Sequence, residues 1–291
     1  MLLVWGVEGT SGNKSWLHFP FLPFNIQPAE VCKITYIIIL AKTMSLNRNR
    51  ISSLRSVGTL TFHMLWIVAL IVVISHDTGV ALIFMFLFVV MAYVGGVSGW
   101  WFLGGAGAVA AVSPYLWKYF IRDDQKQRIL ALIDPSIDPD GLGVLWQTNK
   151  SLEALRNGGL TGQGLLSGEH IFVPNAWNDF IFAYLANVLG FLGAAAVLLL
   201  LFALCLRTLR TGLQCPDALG CNICVGIFAA LFLQCVINIG MNLQVLPVIG
   251  VTLPFFSAGG SSVVMMYLCV GIVLSVGMNT RRSKLEMQQI L

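Results

Sequence analysis

The chain has 291 residues, of which 57% are hydrophobic and only 10% charged, with a formal net charge of +4. Soluble domains usually carry about a quarter of charged residues, and disordered chains are poor in apolar ones. With a mean hydropathy of +0.82, both classes are excluded, and the composition points to a polytopic membrane protein, expected to be all-α from the apolar spans that follow.

A helix needs about 20 apolar residues to cross a hydrocarbon core of roughly 30 Å. In chain order, seven stretches answer to that length: roughly 27–44, 57–75, 78–95, 97–119, 179–206, 219–240 and 260–280. Met1–Gly6 is apolar but too short to span, and it lacks the basic start and cleavage site of a signal peptide. It reads as the end of a helix whose beginning is missing from this chain. The whole of 1–291 is expected to form a single membrane domain.

Basic residues set the orientation, because they stay on the cytoplasmic side. Placing the C-terminus inside puts Lys42, Arg48, Arg50, Arg55, Arg207, Arg210, Arg281, Arg282 and Lys284 there, opposed only by Asp217 and Glu286. That side carries +7; the eight basic and eleven acidic residues left outside carry −3, which restores the whole-chain charge. The segment 120–178 is then a large extracytoplasmic loop. It contains Asp134-Pro135 and Asp138-Pro139, and its apolar residues between Leu142 and Leu155 predict short helices. Long ordered loops are usually functional.

The seven cysteines do not form a disulfide framework. Cys32, Cys205, Cys235 and Cys269 sit in apolar runs as small hydrophobes. Cys221 and Cys224 make a CxxC with Cys215 nearby, but no histidine stands close enough in sequence to complete a zinc set. The glycine-rich phosphate loops of nucleotide-binding domains are absent from the sequence, and nothing suggests a nucleic-acid partner.

Three stretches carry the strongest signal. The first is Asn25-Ile-Gln-Pro-Ala-Glu-Val-Cys-Lys33, after a Trp16-containing loop. The second is Gly158-Gly-Leu-Thr-Gly-Gln-Gly164, followed by Val173-Pro-Asn-Ala-Trp-Asn-Asp-Phe-Ile-Phe-Ala183. The third is Asn238-Ile-Gly240 with Leu246-Pro-Val-Ile-Gly-Val-Thr-Leu-Pro-Phe-Phe-Ser-Ala-Gly-Gly-Ser-Ser262. In this order and spacing they resemble the SEDS family (shape, elongation, division and sporulation), to which RodA, FtsW and SpoVE belong. The steps Asp77-Thr-Gly79 and Gln125–Ile129 fit the same order.

The resemblance implies a ten-helix fold that polymerises lipid II into peptidoglycan strands, for cell elongation or division, in the bacterial cytoplasmic (inner) membrane. Its partners would be lipid II, membrane lipids and a class B penicillin-binding protein that supplies the transpeptidase. The seven spans would be the last seven of ten, so the chain is expected to be a fragment or the product of a late start. It departs from the family pattern twice. Pro174-Asn-Ala-Trp-Asn-Asp-Phe180 stands where Pro-Glu-Ala-His-Thr-Asp-Phe is usual, and Asn187-Val-Leu-Gly190 where Glu-Glu-Leu-Gly is usual.

Lipid II polymerisation needs a sugar hydroxyl to attack an anomeric carbon while a lipid pyrophosphate leaves. An aspartate at the membrane surface can take the hydroxyl's proton, and the resemblance assigns that carboxylate to Asp179. On residues alone, Asn178 and Asp179 read equally as helix N-terminal caps. Asp77 reads as a substrate group or as an interfacial aspartate paired with a neighbouring helix. Glu30 and Lys33, three apart on one helical face, can pair with each other or line the substrate cavity.

The leaving pyrophosphate needs positive charge or donors. Arg122, Lys126 and Arg128 form the strongest candidate cluster, although Asp123 and Asp124 could neutralise it. Lys14, Lys118, Lys150 and Arg156 are further outside cations. The glycines of 158–164 serve tight turns or a phosphate cradle. Pro247–Ser262 is expected to be a re-entrant or tightly folded loop, with Ser257, Gly259 and Gly260 beside substrate. Trp100, Trp101 and Trp117 read as interfacial anchors. No cofactor is required by the resemblance; a divalent cation, Mg or Mn, could assist, but no ligand set is readable. Two other functions compete: a flippase for the lipid-linked precursor, and a non-catalytic scaffold for the penicillin-binding protein. Scarcity of mid-helix charge weighs against an ion-coupled transporter.

Overall fold

A computed structural model describes residues 6–7, 15–19, 25–166 and 169–290. Among them are nine α-helices: α1 (Pro28–Leu46), α2 (Leu54–Leu70), α3 (Thr78–Val94), α4 (Gly99–Tyr119), α5 (Asp123–Ile133), α6 (Trp146–Gly158), α7 (Ile181–Leu213), α8 (Ala218–Asn242) and α9 (Gly260–Ile290). Lys14 and nearly all of the apolar Met1–Gly6 start lie outside the described residues.

Four helical stretches are long and apolar enough to cross a membrane: Leu54–Ser75, Ile181–Leu213, Ala218–Asn242 and Gly260–Arg282. Thr78–Val94 is apolar but shorter. In α7 only 33% of the most apolar window is buried within the protein, and Leu199, Leu200 and Phe202 stand exposed. Water would oppose such a surface at about 25 cal/mol per Å²; lipid accepts it. The chain is an integral membrane protein.

The chain divides into two compact units. The first comprises Met1–Gly99, Phe202–Leu233 and Gly259–Leu291. Its core is built from Tyr36, Ile37, Leu40 and Met44 on α1, Leu60 on α2, Phe84, Leu87 and Met91 on α3, and Ile227 and Leu231 on α8, all almost fully buried. Pro28 opens α1, where its missing N–H costs nothing. Past Leu70 the second helix widens into a π-helical turn, Ile71–Ser75, and His76 then adopts a left-handed conformation. Asp77 starts α3 by accepting the Val80 N–H at 3.0 Å. A short antiparallel pair, Gly6–Val7 with Trp16–Leu17, precedes α1.

The second unit comprises Trp100–Leu201 and Gln234–Ala258. Asp123 and Asp124 begin α5, where carboxylates complement the helix dipole. It ends at Asp134-Pro135, because a residue before proline leaves the α region. Of the short helices expected between Leu142 and Leu155, one forms, α6; a 3₁₀ turn at Pro135–Ile137 lies outside that range. No side chain of α4 is buried.

The stretch expected at 179–206 is one helix in outline but two pieces in detail. Gly190 sits at φ 68°, ψ −172° and breaks α7. The glycine loop that follows α6 repairs the break. Gln163 and Gly164 donate their backbone N–H groups to the carbonyls of Asn187 and Val188, at 2.9 and 3.0 Å. Phe191 and Leu192 donate in return to Gly159 and Leu160, at 2.8 and 3.1 Å. Four backbone groups freed by the break are thereby paired, as a low-dielectric setting demands. The approach is possible only without side chains: a Cβ on Gly162 would collide with the backbone of Val188 and Gly190. Between the two readings of these glycines, the structure favours the backbone one. The piece from Phe191 to Leu213 is about 34 Å long at 1.5 Å per residue, enough to cross a bilayer without the residues before the break.

Candidate functional site

Asp179 belongs to the second unit and lies in the turn that precedes α7, half-buried. The helix begins at Ile181, and the Phe180 carbonyl accepts the first helical hydrogen bond, from Tyr184. Asn178 and Asp179 therefore stand before the cap position, not at it. Phenylalanine cannot cap with its side chain, and another helix does the work. Asn242 of α8 offers its Oδ1 to the Ala183 N–H at 3.0 Å, satisfying one of the unpaired donors of the first turn.

Two buried asparagines one helical turn apart on α8 clamp the turn from below. Asn238 and Asn242 donate their side-chain amides to the Asp179 carbonyl at 2.8 and 3.0 Å. Asn238 also holds the Val251 carbonyl at 2.7 Å, and Ser151 of α6 donates to the Asn242 carbonyl at 2.8 Å. From the other side, buried Ser257 donates to the Asn178 carbonyl at 2.6 Å and accepts from the Leu253 N–H at 2.8 Å. The Ala258 N–H reaches the Trp177 carbonyl at 2.8 Å. Asn175 turns the chain at φ 55°, a left-handed position that asparagine tolerates better than most residues. All these bonds grip backbone, and none of them uses the carboxylate of Asp179. A Cβ on Gly250, itself at φ 69°, would stand 3.7 Å from Asp179 Oδ2. The 246–258 loop thus runs directly beside the carboxylate.

The three basic candidates of the outer loop separate. Arg122 pairs with Asp124 at 3.3 Å and Lys126 with Asp123 at 3.0 Å; both pairs are exposed and local. Arg128 instead donates from Nη1 to the Val248 carbonyl at 2.9 Å, 120 residues away. It ties α5 to the loop that flanks Asp179. Lys150 pairs with Glu153 at 2.7 Å, and Lys118 lies over the Tyr119 ring. Asp134 has its carboxyl held below the ordinary range because the side chain and backbone N–H of Ser136 both donate to it. That makes it a turn-forming group.

The remaining candidates belong to the first unit. Lys33 Nζ lies 2.8 Å from Glu30 Oε1, and both side chains are buried. Glu30 Oε2 has no hydrogen-bond partner among the described residues. Asp77 caps α3 and accepts from Ser15 Oγ at 3.4 Å. Gly259 and Gly260 form the start of α9, where the Gly259 carbonyl accepts from Val263. Ser257 is the one predicted site residue of that final loop drawn directly onto the Asp179 turn.

Sequence reasoning missed Asn242 and gave Asn238 no role. Their signal was available: two amides at i and i+4 in an apolar helix are costly in lipid and are retained for a purpose. The departure at Asn187 also finds a place. Its amide donates to the Ala154 carbonyl at 2.9 Å and its Oδ1 meets His170 Nδ1 at 3.2 Å. Among the described residues no three His, Cys, Asp or Glu side chains gather to hold a metal ion.

Residues 1–282 match the family described as cell cycle protein, FtsW/RodA/SpoVE. Stage V sporulation protein E of Bacillus subtilis is 35% identical over 275 residues, covering 93% of this chain and 73% of the relative. Peptidoglycan glycosyltransferase MrdB of Escherichia coli is 33% identical over 282 residues, covering 95% and 74%. A solved chain from a peptidoglycan synthase complex, in which polymerization and crosslinking are structurally coordinated, superposes with a TM-score of 0.77. It is 28% identical, over 96% of this chain and 77% of its own length.

Proposed function

The chain belongs to the FtsW/RodA/SpoVE family, and from that membership we propose that it is a peptidoglycan glycosyltransferase joining lipid II units into glycan strands. The observation that carries this reading is the Asp179 turn: a half-buried carboxylate beside an irregular loop, on backbone clamped by Asn238, Asn242 and Ser257. Preorganisation of this kind suits a group that must meet a reacting hydroxyl.

In the step, the acceptor sugar's hydroxyl oxygen bonds to the anomeric carbon of the donor. The bond from that carbon to the pyrophosphate oxygen breaks, its electron pair leaves with the lipid pyrophosphate, and the hydroxyl proton passes to Asp179. Charge grows on the pyrophosphate, where a guanidinium stabilises it. Of the outer-loop cations, Arg122 and Lys126 are paired with adjacent aspartates and Arg128 donates to the Val248 carbonyl; all three are proposed as substrate-binding groups. In the other unit, Lys33, Glu30 with its unsatisfied Oε2, Asp77, Gly259 and Gly260 are proposed as substrate-binding groups. No step is assigned to a metal ion.

We read 1–291 as a single membrane domain of the bacterial cytoplasmic membrane with seven crossings: the four apolar stretches, plus α1, α3 and α4. Along α4, Trp100 and Trp117 are about 26 Å apart, close to the thickness of the hydrocarbon core. The +7 against −3 charge division supports a loop 120–178 outside and a cytoplasmic C-terminus. In a background cleared of native cysteines, an impermeant thiol reagent should label Ser136→Cys but not Ser283→Cys in intact spheroplasts. The opposite pattern would overturn this topology.

A partner of the class B penicillin-binding type would supply crosslinking, in keeping with the synthase complex that yields the related fold. The direct test incubates the purified full chain and that partner, its transpeptidase blocked, with lipid II. Glycan strands are expected. Their absence would favour a flippase, if lipid II still crosses vesicle membranes, or else a scaffold.

A further inference from the structure

The second unit contains an open cleft of about 430 Å³, within the range of small-molecule sites. Gln127 and Arg128 of α5, Asp138 of the following turn, Trp146 and Gln147 of α6, and Val248 line it. Its charges are balanced. Arg128 and Asp138 are both in the lining, and the remaining acid, Asp124, is offset by Arg122. Such a lining suits a neutral polar ligand better than a diphosphate.

The lining favours one such class. Trp146, 36% exposed, adds an indole to the lining, and Gln127 and Gln147 supply side-chain amides that both donate and accept. An aromatic side chain in one lining with two-way hydrogen-bonding groups suits a pyranose ring, which has a C–H face and a rim of hydroxyl and acetamido groups. The charged members are already fixed. Asp138 accepts the backbone N–H groups of Gly143 and Leu145 at 3.0 and 2.9 Å, and Arg128 is held by the Val248 carbonyl. The carboxylate keeps lone pairs for sugar hydroxyls, and fixed groups lose little freedom on binding.

The cleft also shares a loop with the carboxylate proposed as base. Val248 lines it, and two residues on, at most about 7 Å along the chain, Gly250 lies against Asp179. We propose that this cleft is a saccharide subsite, which holds the glycan strand away from the bond being made. The proposal rests on the glycosyltransferase reading, since only a polymerase needs to retain its strand.

The test uses the full chain in lipid nanodiscs and a soluble N-acetylglucosamine–N-acetylmuramic acid tetrasaccharide as probe, with binding measured by calorimetry. Neither lipid II nor turnover enters that measurement. The unmutated chain should bind, and Trp146→Ala and Gln147→Ala should each weaken binding about tenfold. Trp146→Phe, which keeps an aromatic face, should restore most of it. With lipid II, Trp146→Ala should yield shorter strands than the unmutated chain. No binding by the unmutated chain, or affinity in both alanine variants equal to that of the unmutated chain, would overturn the subsite. Should Trp146→Ala fail to fold, Trp146→Phe and Gln147→Ala carry the test. Tetrasaccharide binding without strand formation would instead remove the polymerase and leave the saccharide site.

Discussion

Asp179→Asn should leave a folded protein whose rate of glycan-strand formation is lower by about 10²–10⁴-fold, the usual contribution of a general base. Asparagine keeps the shape of the side chain and loses its proton affinity. Folding should survive because the turn is held through its main chain. The carbonyls of Trp177, Asn178 and Asp179 accept from Ala258, Ser257 and the Asn238–Asn242 pair, and none of these bonds involves the substituted carboxylate. A merely structural aspartate predicts the reverse: a lower melting temperature with polymerisation nearly intact. Measuring strand formation and thermal unfolding on the same preparation separates the two. Near-normal polymer from Asp179→Asn would remove Asp179 from the chemistry.

The sequence was most legible where the physics is local. Apolar runs of sufficient length mark the long helices, because lipid demands internally bonded backbone. The Asp123–Lys126 pair follows from i, i+3 spacing, as does Glu30–Lys33. Legibility ended where the partner is distant in sequence. Nothing beside Arg128 says that it will reach Val248 while Arg122 and Lys126 stay with their neighbours. Asn178 and Asp179 have the chemistry of caps, yet the Ala183 N–H takes its cap from Asn242, 59 residues further on. The break at Gly190 was equally hidden. A glycine in an apolar helix is commonplace, and only the docked 159–164 loop gives this one its purpose.

Asn242 supplies the second large effect. Within the folded chain it donates to Asp179 and Asn238 and accepts from Ala183, fully buried. Asn242→Leu keeps the branched outline of the side chain and removes every one of those side-chain bonds. The Ala183 N–H is then left at a helix start with no capping side chain, and the Asp179 carbonyl keeps only Asn238. Each buried group left unsatisfied costs about 1–3 kcal/mol, so the loss in stability should be roughly 2–5 kcal/mol. Polymerisation should fall as well, because the freed turn no longer aims its carboxylate; misplacement by about 1 Å can cost 10²-fold. Asn242→Asp divides the two roles. It retains an oxygen for Ala183 but removes the amide donor and sets a carboxylate against the Asp179 carbonyl. A helix-capping role alone predicts that Asn242→Asp melts and works almost as the unmutated chain. A turn-positioning role predicts that activity falls more steeply than stability. If Asn242→Leu and Asn242→Asp both match the unmutated chain in unfolding and in strand formation, the asparagine clamp has no part in either.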